Sequence, residues 1–398
     1  MKLEDLEIIK DWTSQFDVPD VYIVEQILSN MRFVSFEEVE AWLQNSINEL
    51  LEEIHSKDGR SNVAIFPVNK PFINKFNEDK DVKQPNDSSG RIAHSLKNLE
   101  RNLPKYVELT PRLISMRQKK VKNIIFVDDF VGTGDRFIKS WRETVPSSIK
   151  SWCSRGWCKV WFVTFAAHES GLKKISHNIR SMPRTNIRVN ISIINSFMFQ
   201  NDSMKAVLKK YGTNLGTPKE IFGYGGLASP IVFQYGCPNN VPLIFWVRPV
   251  KKSGVNLKPL FPNRSIPTNA YGLFNKNLKS NASAQNFWDK KRYDLALNFL
   301  EDINSYDNRH YQLIMILTLL ADNNDISKIN NIMILSSTEL DELLNKLHDG
   351  GAIDEAYKPT RFGYDIINRI AKKRKVSKIQ KEEGNFYPST FLGFRRET

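Results

Sequence analysis

The run Ile124-Ile125-Phe126-Val127 is apolar on both faces of a strand, and two adjacent carboxylates, Asp128 and Asp129, follow it directly. A strand of this kind needs helices over both sides of its sheet, as in a parallel α/β layer. The flanking sequence agrees. Asn62–Val68, Val121–Val127, Cys158–Phe165, Ile187–Ile194 and Pro242–Val247 read as strands, with helices over 90–102, 135–144 and 169–180. The alternation predicts a doubly wound α/β core, with the polar stretch 74–89 as a loop above it.

Behind the acids comes Phe130-Val131-Gly132-Thr133-Gly134-Asp135, a short Gly/Thr loop opening a helix. Free N–H groups at a helix start, with small residues that permit close approach, make a cradle for phosphate. Two acids beside it suit ribose hydroxyls and, through water, a Mg²⁺ ion. A plain strand end with a turn is the bland alternative. The carboxyl edge of an open α/β sheet is where ligands bind, which favours the functional reading.

This segment resembles the phosphoribosyl-pyrophosphate loop of type I phosphoribosyltransferases, closely over about 13 residues and by element order over 62–247. The resemblance implies that Asp128 and Asp129 hold the ribose 2- and 3-hydroxyls, act as the catalytic acids and take Mg²⁺. It also implies that Gly132, Thr133, Gly134, Asp135 and Arg136 surround the 5-phosphate. Two positions depart from the family. Arg136 stands where Thr or Ser is frequent, and Gly132 where some purine-using members carry an acid. In the same fold, Asn86-Asp87-Ser88-Ser89-Gly90-Arg91 would face the pyrophosphate, making Ser88, Ser89 and Arg91 candidate ligands; a simple helix N-cap is the alternative. The turn Pro238-Asn239-Asn240 either closes an acceptor pocket or is an ordinary hairpin.

Charge is unevenly spread. Residues 1–60 carry 5 Lys/Arg against 14 Asp/Glu, 61–279 carry 35 against 13, and 280–398 carry 17 against 17. The middle segment therefore attracts phosphorylated ligands and nucleic acid. Ser35 and Glu38 form a capping box before an amphipathic helix, so 1–60 reads as an acidic helical cap on the basic middle segment or, equally, as a partner-binding surface. The sequence divides into this cap, a phosphoribosyltransferase-like domain over 61–250, a Pro/Asn/Ser/Lys-rich linker over 251–285, a helical module over 286–376 and a basic tail over 377–398.

No apolar run approaches the roughly 18 residues of a membrane span. Acids occupy the N-terminus where an export signal is apolar, and three cysteines cannot build a disulfide framework, so a cytoplasmic protein is expected. Cys153 and Cys158 with His168 lack a second ligand pair, which argues against zinc.

The module over 286–376 reads as a winged helix-turn-helix. It has an apolar helix around Leu313–Leu320, a short helix Ile326–Ile332, and a third helix capped by Ser336 and Glu339. The Gly350-Gly351 stop, a hairpin from Ala352 to Phe362 and a last helix from about Tyr364 follow. Its candidate nucleic-acid contacts are Ser337, Thr338, Asn345 and Lys346 on the third helix and Lys358 and Arg361 in the wing. Lys372, Lys373, Arg374 and Lys375 continue them into the tail. Asp341 and Glu342 on the third helix oppose phosphate, so duplex DNA, a single-stranded or structured nucleic acid, and a protein all stay open as partners.

The order of modules resembles the ribosyltransferase and DNA-binding effectors of bacterial retrons. There a reverse transcriptase and its branched RNA–DNA product (msDNA) restrain a toxic antiviral effector. The resemblance implies ribosyl transfer or glycosidic cleavage at a ribose C1. A non-catalytic regulator that senses phosphoribosyl pyrophosphate and binds DNA is the alternative; in known examples its winged helix comes first.

Overall fold

The computed structural model describes residues 2–68, 88–199, 201–249, 257–275, 278, 280, 283–301 and 308–372. Seven strands occur among them: β1 (Arg32–Val34), β2 (Val63–Pro67), β3 (Val107–Leu109), β4 (Asn123–Val131), β5 (Lys159–His168), β6 (Ile187–Ile193) and β7 (Ile231–Phe233). Five form one sheet in the order β3-β2-β4-β5-β6 with every pairing parallel, and β1 pairs with β7 in a separate parallel ribbon. The α/β class read from the sequence therefore holds.

Two apolar layers cover the sheet. On one face the helices Phe36–Asp58 and Ser88–Leu99 pack Trp42, Leu43, Ile47, Ile92 and Leu96 against Ile65, Ile125, Val127 and Val163. On the other, Phe137, Trp141, Leu172 and Ile175 from the helices Asp135–Glu143 and Glu169–Asn178 meet Phe66, Phe126 and Phe162. All nine residues of β4 are buried, which is why its sequence is apolar on both faces.

The chain divides into two units, Met31–Phe274 with Asn330–Asp341, and Met1–Asn30 with Asn275–Ile329 and Glu342–Thr398. This redraws three expected boundaries. The expected cap over 1–60 is split. Residues 1–30 join the C-terminal unit, where Gln26 donates to Asp289 and Asn30 exchanges hydrogen bonds with Asn286. The helix Phe36–Asp58 is a covering layer of the sheet instead of a cap, because its apolar stripe finds β5 through the edge contact of Trp42 with Phe165. In the expected linker, 257–274 is built into the α/β unit through buried Leu260, Phe261, Ala270, Leu273 and Phe274. Short 3₁₀ turns, Pro262–Arg264 and Thr268–Phe274, explain its lack of periodicity.

Two further differences are local. Pro242–Val247 is no strand; Leu243–Phe245 is a buried 3₁₀ turn, and a short apolar run cannot by itself separate the two. β1, β3 and β7, three residues each, are too short to read. The stretch 74–89 lies outside the described residues except Ser88 and Ser89, which open a helix.

In the C-terminal unit, Phe287, Phe299 and Tyr311 pack ring against ring. Along the chain the helices Asn308–Ala321, Ile326–Met333 and Ser337–Asp349 follow, with Asn330–Asp341 belonging to the α/β unit, then an antiparallel bridge from Ile353 to Pro359 and the helix Arg361–Lys372. Ser336 and Glu339 cap the third helix reciprocally at 3.1 and 2.9 Å. Among the described residues no helix is long and apolar enough to cross a membrane.

Candidate functional site

β2 and β4 are neighbours, yet the chain leaves β2 for β3 on one side and β4 for β5 on the other. Such a switch point opens a crevice at the carboxyl ends of the strands. Asp128 and Asp129 sit there, 2% and 3% exposed, at the edge of a cavity of about 1140 Å³. The cavity is bordered by the 128–136 segment, by Arg91 and His94, by Tyr224, by 235–240 and by 263–265.

The acids are already partnered. Arg136 donates to Asp128 Oδ1 and, at 3.4 Å, to Asp129 Oδ1. The Tyr235 hydroxyl donates to Asp129 Oδ2 at 3.2 Å. Burial pushes the Asp128 carboxyl up to about 8, with Arg136 opposing the rise and Asp129 adding to it. For Arg136, burial works against the charged form, but the two carboxylates outweigh it and hold the guanidinium above its ordinary value. Burial, then the charge of Asp129, raises the Tyr235 phenol well above its ordinary value. The group is a neutralised cluster at the cavity wall.

The loop after β4 is shaped by contacts that forbid side chains. A Cβ on Gly132 would lie 2.5 Å from the Asn240 amide, and one on Gly171 would lie 2.1 Å from the Gly132 carbonyl oxygen. Gly134 holds φ +79° at the helix start, a conformation that glycine adopts without cost. Thr133 Oγ1 donates to Asp135 Oδ2 at 2.8 Å, and Lys174 Nζ donates to Asp135 Oδ1 at 2.6 Å. The hydrogen bond from Lys174 is the main cause that lowers the Asp135 carboxyl. The loop thus meets the cavity as closely packed backbone.

Gly132, Thr133, Gly134, Asp135, Arg136 and Arg91 all border the same cavity as the acid pair. Two of them are turned differently from the expected phosphate contacts. Asp135 faces Lys174, and Arg136 faces the acids, since a buried carboxylate pair is the stronger draw for a guanidinium than open solvent. Arg91 stands over the Tyr235 ring, 5.6 Å from its centroid. Ser88 and Ser89 open its helix. Asn239 and Asn240 border the cavity, so that turn does line the pocket; Asn240 Nδ2 donates to the Tyr224 carbonyl at 2.8 Å.

Sequence reasoning missed Tyr235 and Gly171. Tyr235 lies 106 residues from Asp129 and belongs to no motif, whereas a glycine in the first turn of a helix after a buried strand was a readable signal of close packing. Among the candidate nucleic-acid contacts, Ser337, Thr338, Asn345 and Lys346 are exposed on one helix, and Lys358 and Arg361 are exposed beyond it. Lys372 ends the helix Arg361–Lys372, and Lys373, Arg374 and Lys375 lie outside the described residues.

The acid pair has the oxygen donors that Mg²⁺ takes. Both carboxylates nevertheless hold one guanidinium, and no group of three or more His, Cys, Asp or Glu converges among the described residues. The donor set fits an ion held through water and a ligand's own phosphates, and does not fit an ion chelated by protein alone.

A parallel sheet with tandem acids and a glycine-bounded loop at its switch point defines a phosphoribosyltransferase-like domain. The PRTase-CE family model matches residues 9–263, more than half of the chain, and the chain belongs to that family. No curated protein matches it in sequence.

Proposed function

We propose that the cavity beside Asp128 and Asp129 binds a phosphorylated ribose and that the protein is a (phospho)ribosyltransferase acting at ribose C1. We further propose that it serves as the toxic effector of a retron anti-phage system. The observation that carries the site reading is the 1140 Å³ cavity, bordered at once by the acid pair, the Gly132–Gly134 loop and Arg91.

In this reading the two carboxylates accept hydrogen bonds from the ribose 2- and 3-hydroxyls as Arg136 withdraws. The Gly132, Thr133 and Gly134 amides receive the 5-phosphate at the helix start. Arg91, with Ser88 and Ser89, faces the leaving phosphates. Fixing the ring at both ends leaves C1 free to take oxocarbenium character as its bond breaks, and dipoles already in place stabilise the separating charge. Mg²⁺, held through water by Asp128 and Asp129 and directly by the ligand, would offset charge on the departing phosphates.

The retron reading rests on the sequence resemblance and on the basic middle segment. It assigns restraint of the effector to a reverse transcriptase and its msDNA, with the C-terminal helices and basic tail as the contact, and places the system in the cytoplasm. Coexpression of the three components tests it. Release of the wild-type chain should arrest growth, and Asp128→Asn with Asp129→Asn should abolish the arrest while the complex still assembles. Equal toxicity of the double variant removes the enzymatic reading.

One observation favours a second reading. Both carboxylates are ion-paired, so any occupant must exchange with Arg136, which suits a non-catalytic, DNA-binding transcriptional regulator that senses phosphoribosyl pyrophosphate. Pyrophosphate release from phosphoribosyl pyrophosphate, with or without nucleotide acceptors, separates the two; a sensor binds and releases none.

A further inference from the structure

The amino ends of β2, β4 and β5 lie side by side, opposite the cavity. Lys159 N–H donates to the Lys122 carbonyl at 2.8 Å, Lys122 N–H donates to the Asn62 carbonyl at 3.1 Å, and the Asn62 side chain reaches the Lys119 carbonyl at 2.5 Å. Three segments, 58–62, 117–123 and 155–159, are therefore one surface. They carry seven Lys or Arg against a single acid, Asp58.

Among the described residues, two of those cations are ion-paired, Lys159 with Asp58 and Lys119 with Glu108. Arg60, Lys120, Lys122 and Arg155 are exposed. In their midst Trp157 is 60% exposed, with the Arg155 guanidinium 5.0 Å from its ring centroid. This exposed indole, with a guanidinium beside its ring and exposed lysines nearby, has the composition of a base-stacking surface. The ring is held in place by its turn, where Trp157 N–H donates to the Trp152 carbonyl at 2.9 Å and Gly156 takes φ +71°.

We propose that this edge binds a single-stranded polynucleotide, with a base stacked on Trp157 and Arg155 and flanking phosphates on Lys120 and Lys122. An open aromatic face set among lysines is the chemistry of single-strand binding, because every base has a π-face and every nucleotide a phosphate. An acidic peptide would match the charge but would leave the indole face unused. The five residue steps of β4 from Asn123 to Asp128 put the patch roughly 16 Å from the acid pair. It is thus a site separate from the cavity and does not depend on the function proposed for it.

Fluorescence polarisation of the full chain with labelled oligo-dT and oligo-U of about 20 nucleotides tests this. Trp157→Ala should weaken binding at least about fivefold and Trp157→Phe much less, since a phenyl ring still stacks. Lys120→Ala with Lys122→Ala should lower the salt slope by about 1.4, the share of two phosphates on a single strand. Trp157 and both lysines are exposed, so unchanged melting will show that the variants fold. Equal binding of oligo-dT and oligo-U is expected, and a preference for one identifies the natural strand. The proposal is overturned if these variants bind both oligomers like wild type, including the case in which only Lys373→Ala with Lys375→Ala in the tail weakens them. It is also overturned if an acidic peptide binds as tightly with the same dependence on Trp157.

Discussion

The Arg136 guanidinium bridges Asp128 and Asp129, reaching across from the first turn of the helix that follows the loop. The sequence departure at this position is therefore a change of partner, from a ligand's phosphate to the protein's own acids. Removing the cation leaves two buried carboxylates with no opposite charge. Arg136→Gln should cost about 2–3 kcal/mol, at the low end for a broken buried pair because a third of the Arg136 side chain still meets water. The loss should be larger at pH 9 than at pH 6, since Asp128 keeps its proton at the lower pH. Urea unfolding at both values measures it, and a loss that does not change with pH would refute the bridge as the cause.

Asp128 gives a pH dependence of its own. Its folded carboxyl titrates near 8, above the 3.8 of an ordinary aspartate, so the folded chain binds the extra proton. Stability from this group is complete below pH 4 and is lost as pH rises toward 8. Asparagine keeps the shape and cannot ionise. The stability of Asp128→Asn relative to wild type should rise by roughly 4 kcal/mol between pH 5 and pH 8.5. Thermal melts at the two values decide it; a relative stability that stays flat or falls contradicts the assignment.

Gly171 touches no ligand in the proposed site, yet it sets the loop that would. The space its side chain would need is filled by the Gly132 carbonyl, which is backbone and cannot swing aside. Gly171→Ala should therefore push the Gly132–Gly134 loop, lowering stability by about 1–3 kcal/mol. It should weaken phosphoribosyl pyrophosphate binding at least about tenfold, or about 1.4 kcal/mol. Calorimetric titration of the folded variant checks this. Wild-type affinity would mean that the loop does not hold the phosphate.

What the sequence made legible follows burial and locality. β4 and β5 could be read because both of their faces are covered and their apolar runs are long. The acid pair and the glycine loop were legible because they are contiguous. The meeting of Tyr235 with Asp129, the pressure of Gly171 on Gly132 and the turn of Arg136 toward the acids all depend on tertiary approach. Pro242–Val247 misled because apolar periodicity does not separate a short buried strand from a buried 3₁₀ turn. The split of the first sixty residues was invisible because both halves are helical, and only their partners differ.

Arg32 ties the start of the helix Ser337–Asp349 to the strand pair that supports Tyr235. Its guanidinium meets Glu38 and, at 2.8 Å, Glu339, while its backbone N–H donates to the Pro230 carbonyl at 2.8 Å. That carbonyl immediately precedes β7, whose Phe233 stacks on Tyr235 with centroids 5.2 Å apart. Burial alone would raise the Glu339 carboxyl, but Arg32 and the cap at Ser336 outweigh it and hold it below its ordinary value. A lowered carboxylate stabilises above its unfolded value near 4.5, and that stabilisation is lost as pH falls through the folded value. Arg32→Met should cost about 3 kcal/mol at pH 7, because two carboxylates lose one shared cation. The gap to wild type should narrow as pH falls below about 4.5 and through the folded value of Glu339. Denaturant unfolding of both chains across that range measures the gap. A gap that widens on acidification would show that Arg32 acts through packing and not through charge.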